Sequence, residues 1–363
     1  MKPLESFLLL TILAANNISI ADENSAAANS FKTKQLLSGS NFFRLLFGIK
    51  NILLIIFVYF ILLITKADAK NCLSFLPYGF NESYVHLPQN ASFCVKHGKI
   101  TNKYLTDNYG GRLLYDEALN DKIQVFGDSQ VLGLDIENID QHYLNALYKK
   151  NNLIIYAAPN NGPYEVINFL NRNKKILQKK IIVTFNFSTD LYRVLDYYNP
   201  RNFVALKDYE LNEILEHPIK YRLIIFKNLL FNKNFTLSRY DNKKMQNLFL
   251  NSDQDKLYNK LVKYFDELGN TANKLDVEID FIVTYPYWVY SVDKKNNKLL
   301  LKKRLNKKIK KLICRSFQNK KKINKVLISQ VSETLELNDL TIDKRHLKST
   351  KIKLVKYQKI CGT

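Results

Sequence analysis

The chain has 363 residues, enough for one large domain or two small ones, and its 46% hydrophobic content is enough for a real core. Lys and Arg number 55 against 33 Asp and Glu, a formal net charge of +22. No nucleic-acid motif accompanies that charge, and Lys and Asn are abundant throughout while Gly and Pro are scarce. The balance therefore points away from nucleic acid and towards an acidic envelope polymer or an anionic membrane surface.

The N-terminal 69 residues read as a targeting extension. Phe7 to Ala15 is a short apolar stretch, and an Ala-, Asn- and Ser-rich segment follows to residue 30. Ile52 to Ile64 is an unbroken apolar run, preceded by Arg44 and Lys50 and followed shortly by Ala67-Asp68-Ala69. Thirteen helical residues reach only about 20 Å, short of a ~30 Å hydrocarbon core. That length suits the apolar region of a signal peptide, and Ala-Asp-Ala fits its cleavage pattern. Extended back through Leu45, the same run becomes a signal anchor. On either reading Lys32, Lys34, Arg44 and Lys50 hold the N-terminal side in the cytoplasm and send the remainder across the membrane.

Residues 70–120 read as a lead-in of turns and short elements, and residues 121–363 as the main domain. The four cysteines, Cys72, Cys94, Cys314 and Cys361, match no zinc spacing. Outside the cytoplasm an even number permits disulfides. Cys72 with Cys94 would close a modest loop, and Cys314 would meet Cys361 only if the tail docks. Free buried thiols are the alternative.

Beyond residue 120, apolar runs alternate with amphipathic stretches. Ile123–Phe126, Leu153–Ala157, Ile181–Phe185, Leu223–Phe226, Ile279–Thr284 and Val326–Val331 are expected as buried strands. Helices are expected near 130–150, 163–178, 208–216, 240–268 and 298–317. Strand followed by helix, repeated, predicts an α/β fold: a three-layer sandwich around a mainly parallel sheet. The last helix lies in a basic stretch, 294–325, that contains no Asp or Glu. Leu301, Leu305, Ile309, Leu312 and Ile313 form its apolar stripe, leaving the lysines to water or to a polyanion.

Gly127-Asp128-Ser129 closes the first expected strand, which suggests a serine on a tight turn whose following helix points its amides back at it. Near the C-terminus, Asp343 and His346 stand three residues apart in Asp-Lys-Arg-His-Leu, so the carboxylate can hold the imidazole. Gly162 follows the second expected strand and Asn186 the third. In an open parallel sheet all five residues emerge on one rim. Each also has a plain structural reading: Ser129 as a helix N-cap, Asn186 as a turn residue, Asp343 and His346 as surface groups. Tyr285-Pro286-Tyr287-Trp288 offers aromatic faces for sugar stacking or for the core.

Taken in order, Gly127-Asp128-Ser129, Gly162, Asn186 and Asp343-x-x-His346-Leu347 resemble the SGNH or GDSL-type serine hydrolase superfamily. The first and last blocks fit in full. The third, usually Gly-x-Asn-Asp, keeps only the asparagine, and the second rests on one loop glycine. The resemblance covers roughly residues 120 to 350. It implies an SGNH-like, flavodoxin-like α/β domain with a catalytic triad of Ser129, His346 and Asp343. It also implies an oxyanion hole from the Ser129 and Gly162 amides and the Asn186 side chain.

The expected activity is that of an exported or membrane-anchored serine esterase or O-acyltransferase in the periplasm. Its substrate would be an acylated carbohydrate or a related envelope ester, its membrane contact the N-terminal segment. No phosphate loop, zinc helix or EF-hand appears, so no cofactor and no metal is implied. The alternative is a non-catalytic envelope protein that binds a polyanion or anionic lipid through residues 294–325.

Overall fold

A computed structural model describes residues 72–81, 84–97, 100–114, 122–133, 142–144, 152–187, 189–195, 206–207, 210–231, 242–318, 323–340, 348 and 351–362. The chain divides into two units, Met1–Asp68 and Ala69–Thr363, and every described residue belongs to the second. The apolar runs Phe7–Ala15 and Ile52–Ile64 lie outside the described residues. No described helix is long and apolar enough to cross a membrane.

The expected mainly parallel three-layer sandwich, SGNH-like and preceded by a membrane segment, is not what forms. Among the described residues, fifteen strands in three sheets outnumber nine α-helices. The large sheet is mixed. From edge to edge it runs Leu354–Lys356, Ile323–Ser329, Glu278–Thr284, Lys180–Asn186, Lys122–Gly127, Asn152–Ala157, Arg112–Leu113, Ile100–Thr106 and Ser92–His97. The five from Ile323–Ser329 to Asn152–Ala157 are mutually parallel, while Leu354–Lys356 and the three strands at the other edge join antiparallel. Two three-stranded sheets stand beside it, one of Gly79–Asn81, Tyr84–His86 and Leu206–Lys207, the other of Tyr290–Asp293, Lys298–Leu301 and Thr334–Glu336.

The two faces of the sheet are also covered unequally. Successive residues of a strand point to opposite faces. Phe126, Ile154, Val183, Phe185, Phe281 and Val283 therefore join one core, while Val125, Ile155, Ile182 and Ile282 join another. Helices Pro163–Arg172, Gln254–Leu275 and Lys303–Phe317 bury their apolar stripes in the first. The second core is closed by Leu76, Tyr78, Val85, Leu87, Tyr143, Leu144 and Ile352 from strands and turns, and by Val131 and Leu132 of a one-turn helix. Among the described residues no long helix layer covers it.

Residues 70–120, expected as a lead-in of turns and short elements, contribute five strands, and the longest of them is hidden in the sequence for a physical reason. Strand Ile100–Thr106 alternates strictly in burial, but its inward residues are Asn102, Tyr104 and Thr106. Thr106 spends its hydroxyl on Pro88 O at 2.6 Å and Ala91 O at 3.2 Å, so a polar inward face is satisfied. An apolar alternation was never there to read. Leu223–Phe226, expected as a strand, lies inside helix Pro218–Phe231, where Pro218 opens the first turn. Short apolar runs do not distinguish the two by periodicity. The basic helix begins at Lys303, because Lys298–Leu301 pairs with Tyr290–Asp293 and Thr334–Glu336.

All four cysteines are bridged. Cys72–Cys94 ties the start of the described chain to strand Ser92–His97. Cys314–Cys361 staples the terminal helix Tyr357–Cys361 to Lys303–Phe317, and Tyr357 Oη donates to Cys314 O at 2.7 Å.

Candidate functional site

Strand Lys122–Gly127 ends against its neighbour Lys180–Asn186. A Cβ on Gly127 would stand 1.9 Å from Thr184 Oγ1 and 2.8 Å from Val131 Cγ1, so only glycine permits this approach. Asp128 follows as N-cap and accepts from Gln130 N at 2.9 Å. Ser129, half-buried, is the first residue of helix Ser129–Leu132.

Four residues cannot sustain a helix alone, since nucleation costs more than so few bonds return. The surroundings supply the rest. Gly133 closes the helix in the left-handed region at φ 70°. Buried Arg112 donates through Nη1 to Leu132 O at 2.6 Å, and its guanidinium lies over the Tyr104 ring. Buried His142 donates through Nε2 to Val131 O at 2.8 Å, while its Nδ1 accepts from Leu144 N at 3.2 Å. That pair of bonds selects the neutral tautomer. Burial lowers the His142 pKa to about 4, against the Val131 bond and with a further push from Arg112. With both ring nitrogens committed to backbone, His142 is a clamp on the helix and no base for Ser129.

Asp128 also joins the turn to the next loop. Its Oδ2 accepts from Thr189 Oγ1 at 2.8 Å and from Asn186 Nδ2 at 3.1 Å, and Arg193 Nη1 stands 3.6 Å away. Asp190 accepts from Asn186 N at 2.7 Å and from Arg193 Nη1 at 2.6 Å. Asp128, Asn186, Asp190 and Arg193 are all buried. Two carboxylates thus face one guanidinium out of water. Desolvation raises the Asp190 pKa to about 7; Arg193 opposes it, and the Asp128 charge adds to it.

The loop after Asn152–Ala157 meets the same turn. Asn161 Nδ2 donates to Gly127 O at 2.9 Å, and Asn160 takes φ 67° in the bend. Gly162 caps helix Pro163–Arg172 in extended conformation, and a Cβ there would stand 2.5 Å from Glu165 Oε2 and 2.9 Å from Arg193 Cδ. Further along the rim, Thr284 Oγ1 donates to Gln130 Oε1 at 2.8 Å, and Tyr285 N donates to Ser329 Oγ at 2.8 Å.

Ser129, Gly162 and Asn186 therefore sit on three neighbouring loops tied by side-chain bonds to Gly127, Asp128 and Arg193. Asp343 and His346 lie outside the described residues. The described chain on either side of them stops at Leu340 and resumes at Lys348. Beyond it, Lys353 O accepts from Gln330 N at 2.6 Å, one residue past the end of Ile323–Ser329 and on the rim that carries Ser129. Trp288 is buried against Phe249 at 5.7 Å between ring centroids, a core residue and no sugar platform.

Sequence reasoning did not single out Asp190, Arg193, Asn161, Arg112 or His142. For the first two a signal existed: an acid and an arginine three residues apart, just after a buried strand. No family model, curated protein or solved structure matches the chain.

Proposed function

We propose that this protein is a serine esterase or O-acyltransferase acting on an ester outside the cytoplasm. The observation that carries the reading is the bond from Asn186 to Asp128, which joins residues 58 apart in sequence at the turn presenting Ser129. Ser129 Oγ attacks the acyl carbonyl carbon while His346 takes its proton. The tetrahedral oxyanion is met by backbone amides at Ser129 and Gly162 and by the Asn186 amide, which Asp128 orients in advance. As the ester C–O bond breaks, His346 returns the proton to the leaving alcohol, with Asp343 holding the ring's tautomer. Water or a sugar hydroxyl then attacks the acyl-serine by the same route in reverse. Two disulfides support an oxidising location, and with it a glycan or other envelope ester as substrate. Fluorophosphonate labelling of the detergent-solubilised full chain should map to Ser129, and acetyl-ester hydrolysis should vanish in Ser129→Ala. Wild-type protein that neither labels nor hydrolyses refutes the covalent mechanism.

A second reading rests on helix Lys303–Phe317. It buries Leu305, Ile309, Leu312 and Ile313 and exposes Arg304, Lys307, Lys310 and Lys311. A non-catalytic protein using that face would bind an anionic glycan in a salt-sensitive manner that survives Ser129→Ala.

A further inference from the structure

Helix Pro218–Phe231 carries apolar side chains on more than one face. Tyr221 and Ile224 pack into a small core with Phe75, Leu206, Leu211 and Ile214. On another face Leu223, Lys227 and Phe231 follow at four-residue intervals and so form one stripe. That stripe points to solvent, yet two of its three residues are large and apolar: Leu223 is 40% and Phe231 79% exposed. The helix contains Lys220, Arg222 and Lys227 and no acidic residue. Lys220 pairs with Glu213 of the preceding helix.

The place where the chain joins the fold gives this stripe a partner. Phe75 stacks on Tyr221 with ring centroids 3.9 Å apart and planes 10° from parallel. Three residues earlier, Cys72 is fixed by its bridge to Cys94. Cys72 follows Ile64, the end of the apolar run, by only eight positions. Eight extended residues span at most about 28 Å. If Ile52–Ile64 enters a bilayer, helix Pro218–Phe231 is thus held within a short tether of its surface. A stripe of Leu and Phe with Lys between them matches that surface, because the lysine stem lies along apolar groups while its ammonium reaches anionic headgroups.

We infer that helix Pro218–Phe231 is a second membrane contact, seating the domain on an anionic bilayer through Leu223, Lys227 and Phe231. The inference rests on the membrane-anchored reading of the N-terminal run and is independent of the chemistry at Ser129. The full chain, reconstituted in vesicles of equal parts phosphatidylcholine and phosphatidylglycerol, tests it. An environment-sensitive fluorophore is placed on Phe231→Cys, and on Lys310→Cys as control. Lipid-borne doxyl groups should quench the probe at 231 at least roughly twofold more than at 310, and Leu223→Glu should remove most of the difference. Equal quenching at both positions in protein that floats with the vesicles overturns the inference and leaves the anchor standing. Protein that does not float overturns both. A blue-shifted but unquenched probe at 231 assigns the stripe to a second copy of the chain and overturns the lipid contact.

Discussion

Gly127→Ala tests whether the turn before Ser129 depends on a close approach of two strands. The new methyl group would fall 1.9 Å from Thr184 Oγ1, 3.3 Å from Thr184 Cβ and 2.8 Å from Val131 Cγ1. Thr184 is buried and its hydroxyl donates to Phe126 O at 3.0 Å, so it cannot turn aside without abandoning that acceptor. Overpacking of this kind costs about 1–3 kcal/mol, and a buried acceptor left unmatched about 1–3 kcal/mol more. The sum is a destabilisation of roughly 2–6 kcal/mol, read by urea unfolding of the purified protein. Thr184→Ala in the same chain removes the worst contact and leaves the 2.8 Å approach to Val131, so it should restore part of the loss. A Gly127→Ala protein within about 0.5 kcal/mol of wild type would refute the reasoning. So would strict additivity of the two substitutions.

Two buried groups on either side of the helix should oppose one another in pH dependence. Asp190, raised to about 7, stabilises the fold at low pH, and its contribution is lost as pH rises through that value. His142, lowered to about 4, contributes stability above its unfolded pKa of roughly 6.5 that is lost as pH falls towards 4. Between these limits the slopes cancel, so Asp190→Asn should unmask a rise of up to about 1.4 kcal/mol per pH unit from pH 4 to 6.5, measured by urea unfolding across that range. An unchanged profile in Asp190→Asn would refute the assignment. Among the disulfides, Cys314–Cys361 closes the longer interval, 47 residues against 22. Replacing the pair by serines should cost up to ~4 kcal/mol, and replacing Cys72 and Cys94 up to ~3 kcal/mol, each by equilibrium unfolding.

The five parallel strands at the centre were legible because each buries both faces and therefore reads as a continuous apolar run. Ile181 to Phe185 is such a run, with Ile181 and Val183 in one core and Ile182 in the other. The amphipathic helix ending at Phe317 was legible from its stripe. The three antiparallel edge strands were not, because Asn102 and Thr106 face inward, and Thr106 is satisfied by a bond to Pro88 O, 18 residues away. At the candidate site, Gly127-Asp128-Ser129 and Asn186 stood out by residue type. Nothing in the letters showed that Asp128 would bind Asn186, or that Arg112 and His142 would hold the C-terminal end of a one-turn helix.

Local pattern thus determined the five central parallel strands, which helix is basic on one side, and which serine follows a strand end. These are properties of neighbours in sequence, and periodicity records them. Tertiary structure alone decided the mixed sheet, the unequal covering of its faces, the pairing of the four cysteines and the enclosed Asp128–Asp190–Arg193 cluster. Each depends on contacts between residues tens of positions apart. Their energies come from desolvation and hydrogen-bond geometry, which exist only once the chain has closed around them.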